Sequence, residues 1–563
     1  MKKAEGKEKV VASFKFTILA VILIAIFCIA LTPVTFQNDT YYTIKVGEHI
    51  AQYGIDGQDP FSWHENLGYT YPHWGYDLIT YQIYQAFGFT GIYVVTCILS
   101  VMLGLSIYWV NTKLAKNQLF SFFITLGIMY VIRGYIAARA QLVTFILFIL
   151  TLYFIEKFME TKKKRYVAGL IIIPFAIANL HVAVFPFYFV LYLPYIAEYL
   201  LAILAEIIIY RKVEVLFLKM KIKRFSKKEG KEEKIEALKK QQKELERKID
   251  QIKVKRSKEL QNPYKIKFVK NPNVKWLIFI LVISLLTGLL TPLGTTPYTY
   301  LAKTMQGNTT QNINEHLPMT LASDTDAMCM LILLLSILIF TKAKIRLADL
   351  FMLGGLCYLM LKSRRQITMF AIIGSVIFNR LWIQVLEIYT GYQKEREKEL
   401  LKKVTSILGI IILTTATVLL SYYLGKDHLK EQYVDESTYP VKASDYILNH
   451  IDLGTTRLYN EYNYGSYLLF RGIPVFIDSR ADLYAPEFSE KEEDIFSDFI
   501  DTSSIGKFYG DIFEKYKITH VITYKNSKMN MIITKTQKEK YEQLYEDNYF
   551  VLYQIKDSNI LSN

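Results

Sequence analysis

Cysteine is scarce in this sequence, at four of 563 residues. The four, Cys28, Cys97, Cys329 and Cys357, all lie in apolar stretches, and no Cys-x-x-Cys pair occurs. This usage argues against a disulfide framework and against a thiolate metal site. The polar C-terminal portion contains no cysteine, so redox chemistry does not identify its compartment.

Several catalytic motifs are also missing. The sequence has no phosphate-binding Gly-Lys-Ser/Thr loop, no Gly-x-Gly-x-x-Gly after a predicted strand, no His-Glu-x-x-His and no Gly-x-Ser-x-Gly. Their absence argues against an ATP-driven pump, a nucleotide-sugar enzyme of ordinary soluble design, a zinc protease and a serine hydrolase.

Apolar residues, by contrast, make up 52% of the chain. They gather into runs close to the roughly 20 residues that cross a bilayer, without the strict amphipathicity of soluble helices. These runs predict an α-helical polytopic membrane protein of about eleven spans. The predicted spans lie near 14–34, 90–111, 118–133, 141–158, 166–181, 184–210, 275–292, 326–341, 347–361, 366–385 and 404–424.

Acidic residues are outnumbered, and the net charge is +15. The excess is local, because residues 211–275 hold 23 Lys or Arg against 9 Asp or Glu, a net of +14. Such a loop is typically retained on the cytoplasmic side and attracted to anionic lipid. We therefore predict a lipid bilayer as partner and no nucleic acid, with the N-terminus and this basic insert in the cytoplasm. An odd number of spans then places the C-terminal portion outside.

The chain divides into two predicted domains. Residues 1–425 form the membrane domain, with a first external loop at 35–88, and residues 426–563 form a small extracytoplasmic α/β domain. Within the loop, 44–53 and 74–87 are amphipathic and predict helices in the headgroup plane. The basic insert has apolar residues spaced by three and four from Ile235 to Ile252, which predicts a coiled-coil hairpin or a dimer helix. Strands of the α/β domain are predicted at 457–460, 474–478, 519–523 and 550–554.

The most informative single residue is Asp39, which follows the first apolar run where that run should leave the membrane. A carboxylate at this rim lies where a lipid-carried substrate meets a water-borne acceptor. Two basic clusters also fall in turns predicted to be external, although basic residues usually favour the cytoplasmic side. They consist of Arg133 and Arg139, and of Lys362, Arg364 and Arg365.

These external arginines have two interpretations. A lipid phosphate would compensate their charge, because guanidinium groups bind phosphate bidentately; Arg364 and Arg365 are the better pair for this. Alternatively, the arginines anchor headgroups or form ion pairs with Asp39, Asp59 or Glu315. Histidines at 64, 73, 181 and 316 could ligate a divalent cation with Asp39, but no spacing is diagnostic, so the cofactor stays open.

At this point the motifs resemble a known family. Asp39, Gly47, Asp59-Pro60-Phe61-Ser62-Trp63, His73-Trp74 and Tyr84-Gln85 resemble the first external loop of the GT-C superfamily. These polytopic glycosyltransferases include protein mannosyltransferases, aminoarabinose transferases and oligosaccharyltransferase catalytic subunits. Further segments resemble a bacterial branch: Leu180-His181, Thr291-Pro292-Leu293-Gly294, Ile313-Asn314-Glu315, Ser363-Arg364-Arg365, Tyr464-Gly465-Ser466-Tyr467-Leu468 and Pro474-Val475-Phe476-Ile477-Asp478-Ser479-Arg480.

The resemblance implies transfer of a sugar from a polyprenyl phosphate or pyrophosphate to an extracytoplasmic glycan, lipid or protein. Asp39 would be the base or a metal ligand, and Arg364 and Arg365, with Arg133 and Arg139, would bind the donor phosphate. Asp59, His73, Glu315 and His181 would contact substrate. Relatives often carry an acidic pair where this chain has Asn38 before Asp39, so metal dependence is open. The alternatives are a transporter or flippase of lipid-linked glycans and a non-catalytic envelope scaffold.

Overall fold

The computed structural model describes residues 2–209, 212–226, 231–259, 265–307, 309–489 and 493–556. Up to residue 425 the helices are α1 (Lys2–Ala30), α2 (Asn38–Tyr53), α3 (Trp74–Ala115), α4 (Leu119–Val131), α5 (Ala140–Thr161), α6 (Lys164–Leu180), α7 (Phe185–Val190), α8 (Leu193–Ile209), α9 (Lys212–Phe225), α10 (Glu232–Glu259), α11 (Val274–Leu286), α12 (Thr296–Gln306), α13 (Thr309–Asn312), α14 (Thr325–Phe340), α15 (Leu347–Lys362), α16 (Ile367–Thr390), α17 (Lys394–Val404) and α18 (Ile407–Gly425). Two short strands, β1 (Ile266–Lys267) and β2 (Ile345–Arg346), pair in parallel among them.

The remainder, residues 426–556, is called the C-terminal region below. It contains α19 (Val441–His450), β3 (Leu458–Tyr459), α20 (Tyr462–Phe470), α21 (Pro486–Ser489), α22 (Ile495–Ser504), α23 (Tyr509–Lys515), β4 (His520–Tyr524), α24 (Lys528–Thr536), β5 (Tyr541–Glu546) and β6 (Phe550–Ile555). The four strands form one sheet in the order β3-β4-β6-β5, in which β3 and β4 are parallel and the other pairs antiparallel.

Every predicted span coincides with helical structure, so the chain is a multi-pass membrane protein. By length and composition, six helical segments of the described chain could cross a bilayer. They are Val11–Ala30, Trp74–Ala115, Ala140–Thr161, Val182–Ala205, Arg364–Thr390 and Ile407–Gly425, and three shorter apolar helices accompany them. Their buried faces form one hydrophobic core, with residues such as Phe16, Phe122, Phe148 and Ile372 almost fully enclosed.

Residues 35–88, which the sequence predicts to be the first external loop and which keep that name below, contain the two helices that amphipathicity predicts. The first is α2, and the second is the beginning of α3, which breaks at Gly88, where φ is 60° and ψ −155°. Glycine adopts that conformation without steric cost, so Gly88 separates the amphipathic part of α3 from its apolar part. The two helices meet closely at Gly47, where a Cβ atom would lie 2.1 Å from the carbonyl oxygen of Asp77. Only glycine fits this contact.

The basic insert forms a helical hairpin from α9 and α10, which lie against each other. Along the described part of α10, Leu245 and Ile249 are buried and Ile235, Leu238 and Gln242 are half-buried, while the side chain of Ile252 lies outside the described residues. This is the stripe from which the sequence predicts a coiled-coil hairpin or dimer helix, and the packing agrees with the hairpin.

The C-terminal region shares a hydrophobic core with the first external loop. Tyr41 and Tyr71 of the loop belong to the same buried cluster as Tyr464, Phe476 and Val521. One predicted strand, 474–478, is wrong as a strand of the sheet. Val475 instead forms an isolated parallel bridge with Ser62 of the loop, because this segment docks onto the loop rather than onto its own sheet. The strand β5 was not predicted.

A buried ion network locks the loop to the C-terminal region. The Arg480 guanidinium contacts Asp59 Oδ1 at 2.6 Å and Asp478 Oδ2 at 2.7 Å, and all three side chains are at most 3% exposed. The Tyr484 hydroxyl donates to Asp478 as well, at 2.5 Å. Burial opposes the charge on Arg480, but Asp478 and Asp59 raise its pKa well above the ordinary value. The Arg480 guanidinium therefore stays charged between the two carboxyl groups.

We expect Arg480→Gln to destabilise the protein by about 3–5 kcal/mol, because it leaves two buried carboxylates without their counter-ion. The matched control is Arg471→Gln, which breaks the exposed Arg471–Asp445 pair of the same region and should cost at most about 1 kcal/mol. Thermal unfolding of the purified protein in detergent measures both. Equal shifts in Tm for the two variants would contradict a locking role for Arg480.

Candidate active site between the first loop and the C-terminal region

Asp39 lies in the first turn of α2, two residues after the extended N-cap residue Gln37. A carboxylate in the first helical turn is favoured by the helix dipole, and 17% of this side chain remains exposed. The preceding Asn38 donates a hydrogen bond from Nδ2 to the carbonyl oxygen of Tyr462 at 2.7 Å. That bond ties the start of α2 to the start of α20, so the C-terminal region forms a wall beside Asp39.

Arg139 bridges Asp39 to a second carboxylate. Its Nη2 lies 2.5 Å from Asp39 Oδ2, and its Nη1 lies 3.0 Å from Glu315 Oε1. Burial disfavours the charge of Arg139, yet the carboxylates of Asp39 and Glu315 raise its pKa. Burial likewise acts to raise the pKa of Glu315, but Arg139 and Arg365 lower it overall. The site therefore contains a fixed chain of alternating charges.

Backbone hydrogen bonds hold Arg365 beside this chain. The amide of Arg365 donates to the carbonyl oxygen of Glu315 at 3.0 Å, and the amide of Arg364 donates to that of Leu317 at 2.9 Å. Arg365 also influences the pKa of Asp482, for which burial dominates and raises the value. Arg365 thus stands between the segment that carries Glu315 and the C-terminal region.

The structure distinguishes the four predicted phosphate-binding arginines. Arg133 pairs with Asp326 at 2.7 Å, Arg364 pairs with Asp324 at 3.0 Å, and Arg139 is shared by Asp39 and Glu315. In the part of the chain that the structure describes, Arg365 alone among the four has no carboxylate within 4.0 Å. Arg365 is therefore the arginine of this set whose charge no carboxylate of the described residues neutralises by direct contact.

Three of the predicted histidines surround the arginines as neutral rings. The rings of His73 and His181 lie 4.8 Å apart, and His181 Nδ1 is 2.8 Å from the Thr144 hydroxyl. Burial, followed by the nearby cations Arg365 and Arg139, lowers the pKa of His73 to about 3. Burial and Arg365 lower that of His316 to about 4, and the pKa of His181 also falls well below its ordinary value. These rings add no positive charge at neutral pH.

The C-terminal region supplies two residues that the sequence analysis did not single out. Tyr462 presents the carbonyl oxygen that holds Asn38. Asp482 accepts hydrogen bonds from Tyr300 at 2.6 Å and Thr309 at 3.3 Å, which joins α12 and α13 to this wall. The motif from Pro474 to Arg480 lies close by in sequence and was the only signal for Asp482. Asp59, predicted to contact substrate, is instead fully buried against Arg480.

The sequence leaves open whether histidines near Asp39 ligate a divalent cation together with it. Among the described residues, no group of three or more His, Cys, Asp or Glu side chains is placed to hold a metal ion. The cation observed between Asp39 and Glu315 is the guanidinium of Arg139. His64, another proposed ligand, lies at the docking interface, where its Nε2 is 2.9 Å from the Phe476 carbonyl oxygen.

No protein-family model matches the chain. No curated protein matches it by sequence. Solved structures do resemble it. The archaeal oligosaccharyltransferase AglB from Archaeoglobus fulgidus, in complex with an inhibitory peptide and a dolichol-phosphate, has a TM-score of 0.50 at 11% identity, over 90% of this chain and 69% of that one. The Archaeoglobus fulgidus oligosaccharyltransferase tethered to an acceptor peptide containing the NVT sequon has a TM-score of 0.50 at 10% identity, over 96% and 74% of the two chains.

ArnT from Cupriavidus metallidurans bound to undecaprenyl phosphate has a TM-score of 0.45 at 9% identity, over 97% of this chain and 98% of that one. The oligosaccharyltransferase likeness, which extends over nearly the whole chain, shows that this protein has a GT-C-like fold. The fold predicted from the short motifs of the first loop is confirmed.

Proposed function

We propose that this protein is a membrane glycosyltransferase that moves a sugar from a polyprenyl phosphate or pyrophosphate to an acceptor hydroxyl or amide outside the cytoplasm. The observation that carries the proposal is that two functional groups lie at one site. One is an oriented carboxylate, Asp39, which contacts Arg139. The other is Arg365, an arginine without a carboxylate partner among the described residues, whose amide donates to the carbonyl oxygen of Glu315. Arg139 also contacts Glu315 and so connects the two. The dolichol-phosphate in the AglB complex supports a lipid phosphate as donor.

The chemistry requires two kinds of group. As the acceptor attacks the anomeric carbon, the new bond to the sugar forms and the bond from the sugar to the phosphate oxygen breaks. Asp39 accepts the proton that the acceptor releases, which is general-base catalysis. The departing phosphate keeps the electron pair of the broken bond, and Arg365 stabilises its growing charge with a bidentate guanidinium contact. Arg139 fixes the orientation of Asp39 through their ion pair.

The location of the charges favours transfer over transport. A flippase needs charged groups along a path through the membrane. Here Asp39 precedes the body of α2, Arg139 caps α5, and Arg365 lies between α15 and α16, so all three cluster at helix ends beside the C-terminal region. A donor lipid could reach this position with its phosphate at the rim while its prenyl chain stays among the helices.

The proposal includes an orientation, with the N-terminus and the α9–α10 hairpin in the cytoplasm and the C-terminal region outside. Single cysteines at Glu65, Lys240 and Asn449, in a variant without the four native cysteines, test it. We expect an impermeant thiol reagent to label positions 65 and 449 in intact cells and position 240 only after lysis, because the basic hairpin is retained inside. Labelling of position 240 in intact cells would reverse the assignment.

Asp39→Asn should abolish transfer, because an amide cannot accept the acceptor's proton. Loss of general-base help costs about 10²–10⁴-fold. The measurement is mass spectrometry of the polyprenyl lipids in cells that lack the protein, where the lipid-linked donor should accumulate and disappear when the wild-type gene is restored. Glu48→Gln, which removes a carboxylate from the Lys45–Glu48 surface pair on the same helix, is the control and should restore transfer. An Asp39→Asn protein that retained more than about a tenth of wild-type turnover would disprove the base assignment.

Arg365→Gln should weaken donor use specifically. Loss of a charge-assisted contact to phosphate corresponds to about a 10- to 150-fold rise in apparent donor KM at saturating acceptor. The adjacent Arg364→Gln is the matched control. Arg364 already forms an ion pair with Asp324, so this substitution should change the donor KM little. Titrating donor and acceptor separately distinguishes the outcomes. A larger donor effect from Arg364→Gln, or an effect of Arg365→Gln on the acceptor alone, would refute this assignment.

A further inference from the structure

The C-terminal region contains a cavity of about 560 Å³ that the site above does not use. It lies at the carboxyl ends of the parallel strands β3 and β4, where residues just after each strand, Glu461 and Asn526, line it. Crevices at the carboxyl ends of parallel strands are the usual ligand positions of open α/β sheets. The volume also falls within the roughly 300–1,000 Å³ of small-molecule sites.

The lining combines aromatic faces with neutral polar groups. Tyr459, Tyr524 and Tyr549 contribute aromatic surface, and Asn526 and Asn548 contribute amides. Each amide offers two donors and an acceptor, and each tyrosine offers an apolar face with a polar tip. Such a wall matches a ligand with alternating C–H surfaces and hydroxyl groups.

Two polar groups in this wall, the buried hydroxyl of Tyr459 and the half-buried carboxyl of Glu461, lack full hydrogen bonding. Tyr459 is 1% exposed, and its hydroxyl has no hydrogen-bond partner among the described residues. The neighbouring Glu461 accepts one hydrogen bond on Oε1, from the Thr523 hydroxyl at 3.2 Å. An unpaired buried hydroxyl costs free energy that a bound ligand would recover. The cavity therefore has hydrogen-bonding capacity to offer a ligand.

The wall offers little to bind an anion. Among the described residues that line the cavity, Lys528 is the only basic one, and no arginine is present to bind a phosphate bidentately. Burial raises the pKa of Glu461, which favours its neutral, hydrogen-bonding form. A neutral polyhydroxy ligand satisfies these groups through hydrogen bonds.

We propose that this cavity binds a neutral saccharide. Saccharide binding by the cavity does not depend on the transfer chemistry. The further role of the cavity, to hold an acceptor or product glycan, rests on the proposed function. The geometry supports that use, because Glu461 lines the cavity while the next residue, Tyr462, holds Asn38 beside Asp39. The chain thus runs directly from the cavity lining to the residue that holds Asn38.

The test is saturation-transfer NMR on the full-length protein in nanodiscs, with a panel of neutral mono- to tetrasaccharides of glucose, galactose, mannose and N-acetylglucosamine. At least one member should bind saturably at millimolar concentration. Glu461→Gln and Asn526→Ala should each weaken that binding by about tenfold, the effect of one lost polar contact. Tyr446→Phe and Asn449→Ala, on α19 and outside the cavity, are the matched controls and should leave the affinity unchanged.

Several outcomes would overturn the proposal. They are absence of binding by every saccharide, undiminished binding in both cavity variants, and competition by inorganic phosphate, which would make the cavity an anion site. Asn526 is exposed, so Asn526→Ala tests the cavity without risk to the buried core. Asp39→Asn should bind the saccharide like the wild type, so a failure of transfer and a failure of this cavity are distinguishable.

Discussion

The buried charge of Arg480 is the interaction on which the candidate site depends. Three charged side chains at most 3% exposed are costly to bury, and they are tolerated only because each carboxylate meets the same guanidinium. One of those carboxylates, Asp59, comes from the first loop and the other, Asp478, from the C-terminal region. The network therefore specifies how these two parts dock, and the shared apolar cluster around Tyr41 and Phe476 supplies the burial energy.

The docking of the C-terminal region onto the first loop determines which residues surround Asp39. Once α20 lies against α2, the Tyr462 carbonyl can hold Asn38, and Asp482 can bind the helices that lead to Glu315. The candidate site is thus assembled from the first loop, three turns between membrane helices and the C-terminal region. The residues predicted as a separate extracytoplasmic α/β domain form one wall of the site and share their hydrophobic core with the first loop.

Local patterns predicted much of this arrangement. Apolar run length predicted the spans, amphipathic spacing predicted α2 and the start of α3, and the position of Asp39 after the first run predicted a carboxylate at the rim. Non-local pairing could not be predicted in the same way. Asp59 and Arg480 are 421 residues apart, so nothing near either one indicates that Asp59 is buried. The segment 474–478 has the composition of a strand, but tertiary docking onto Ser62 overrides that propensity.

The adjacent residues Arg364 and Arg365 also differ in a way that the sequence does not predict. From sequence, Arg364 and Arg365 are equivalent, since both end an apolar run and both suit a phosphate. Their backbone positions one residue apart direct the two guanidinium groups to different neighbours. Arg364 meets Asp324, which neutralises it, while Arg365 lies near Asp482 and the histidines without an ion pair among the described residues. Only the fold shows that Arg364 is ion-paired and that Arg365 is without such a partner among the described residues.

The same reasoning accounts for Asn38, the residue that precedes Asp39. Its Nδ2 must donate to the Tyr462 carbonyl oxygen, at 2.7 Å. An ionised aspartate has acceptors only, so at this position it would oppose an oxygen rather than bind it. A second carboxylate beside Asp39 would therefore disrupt the contact that brings α20 over α2. The chain instead obtains its second carboxylate from Glu315, far away in sequence, and connects it to Asp39 through Arg139. The docking of α20 on α2 therefore requires an amide donor at position 38. As a result, the carboxylate that shares Arg139 with Asp39 is Glu315 and not a neighbour in sequence.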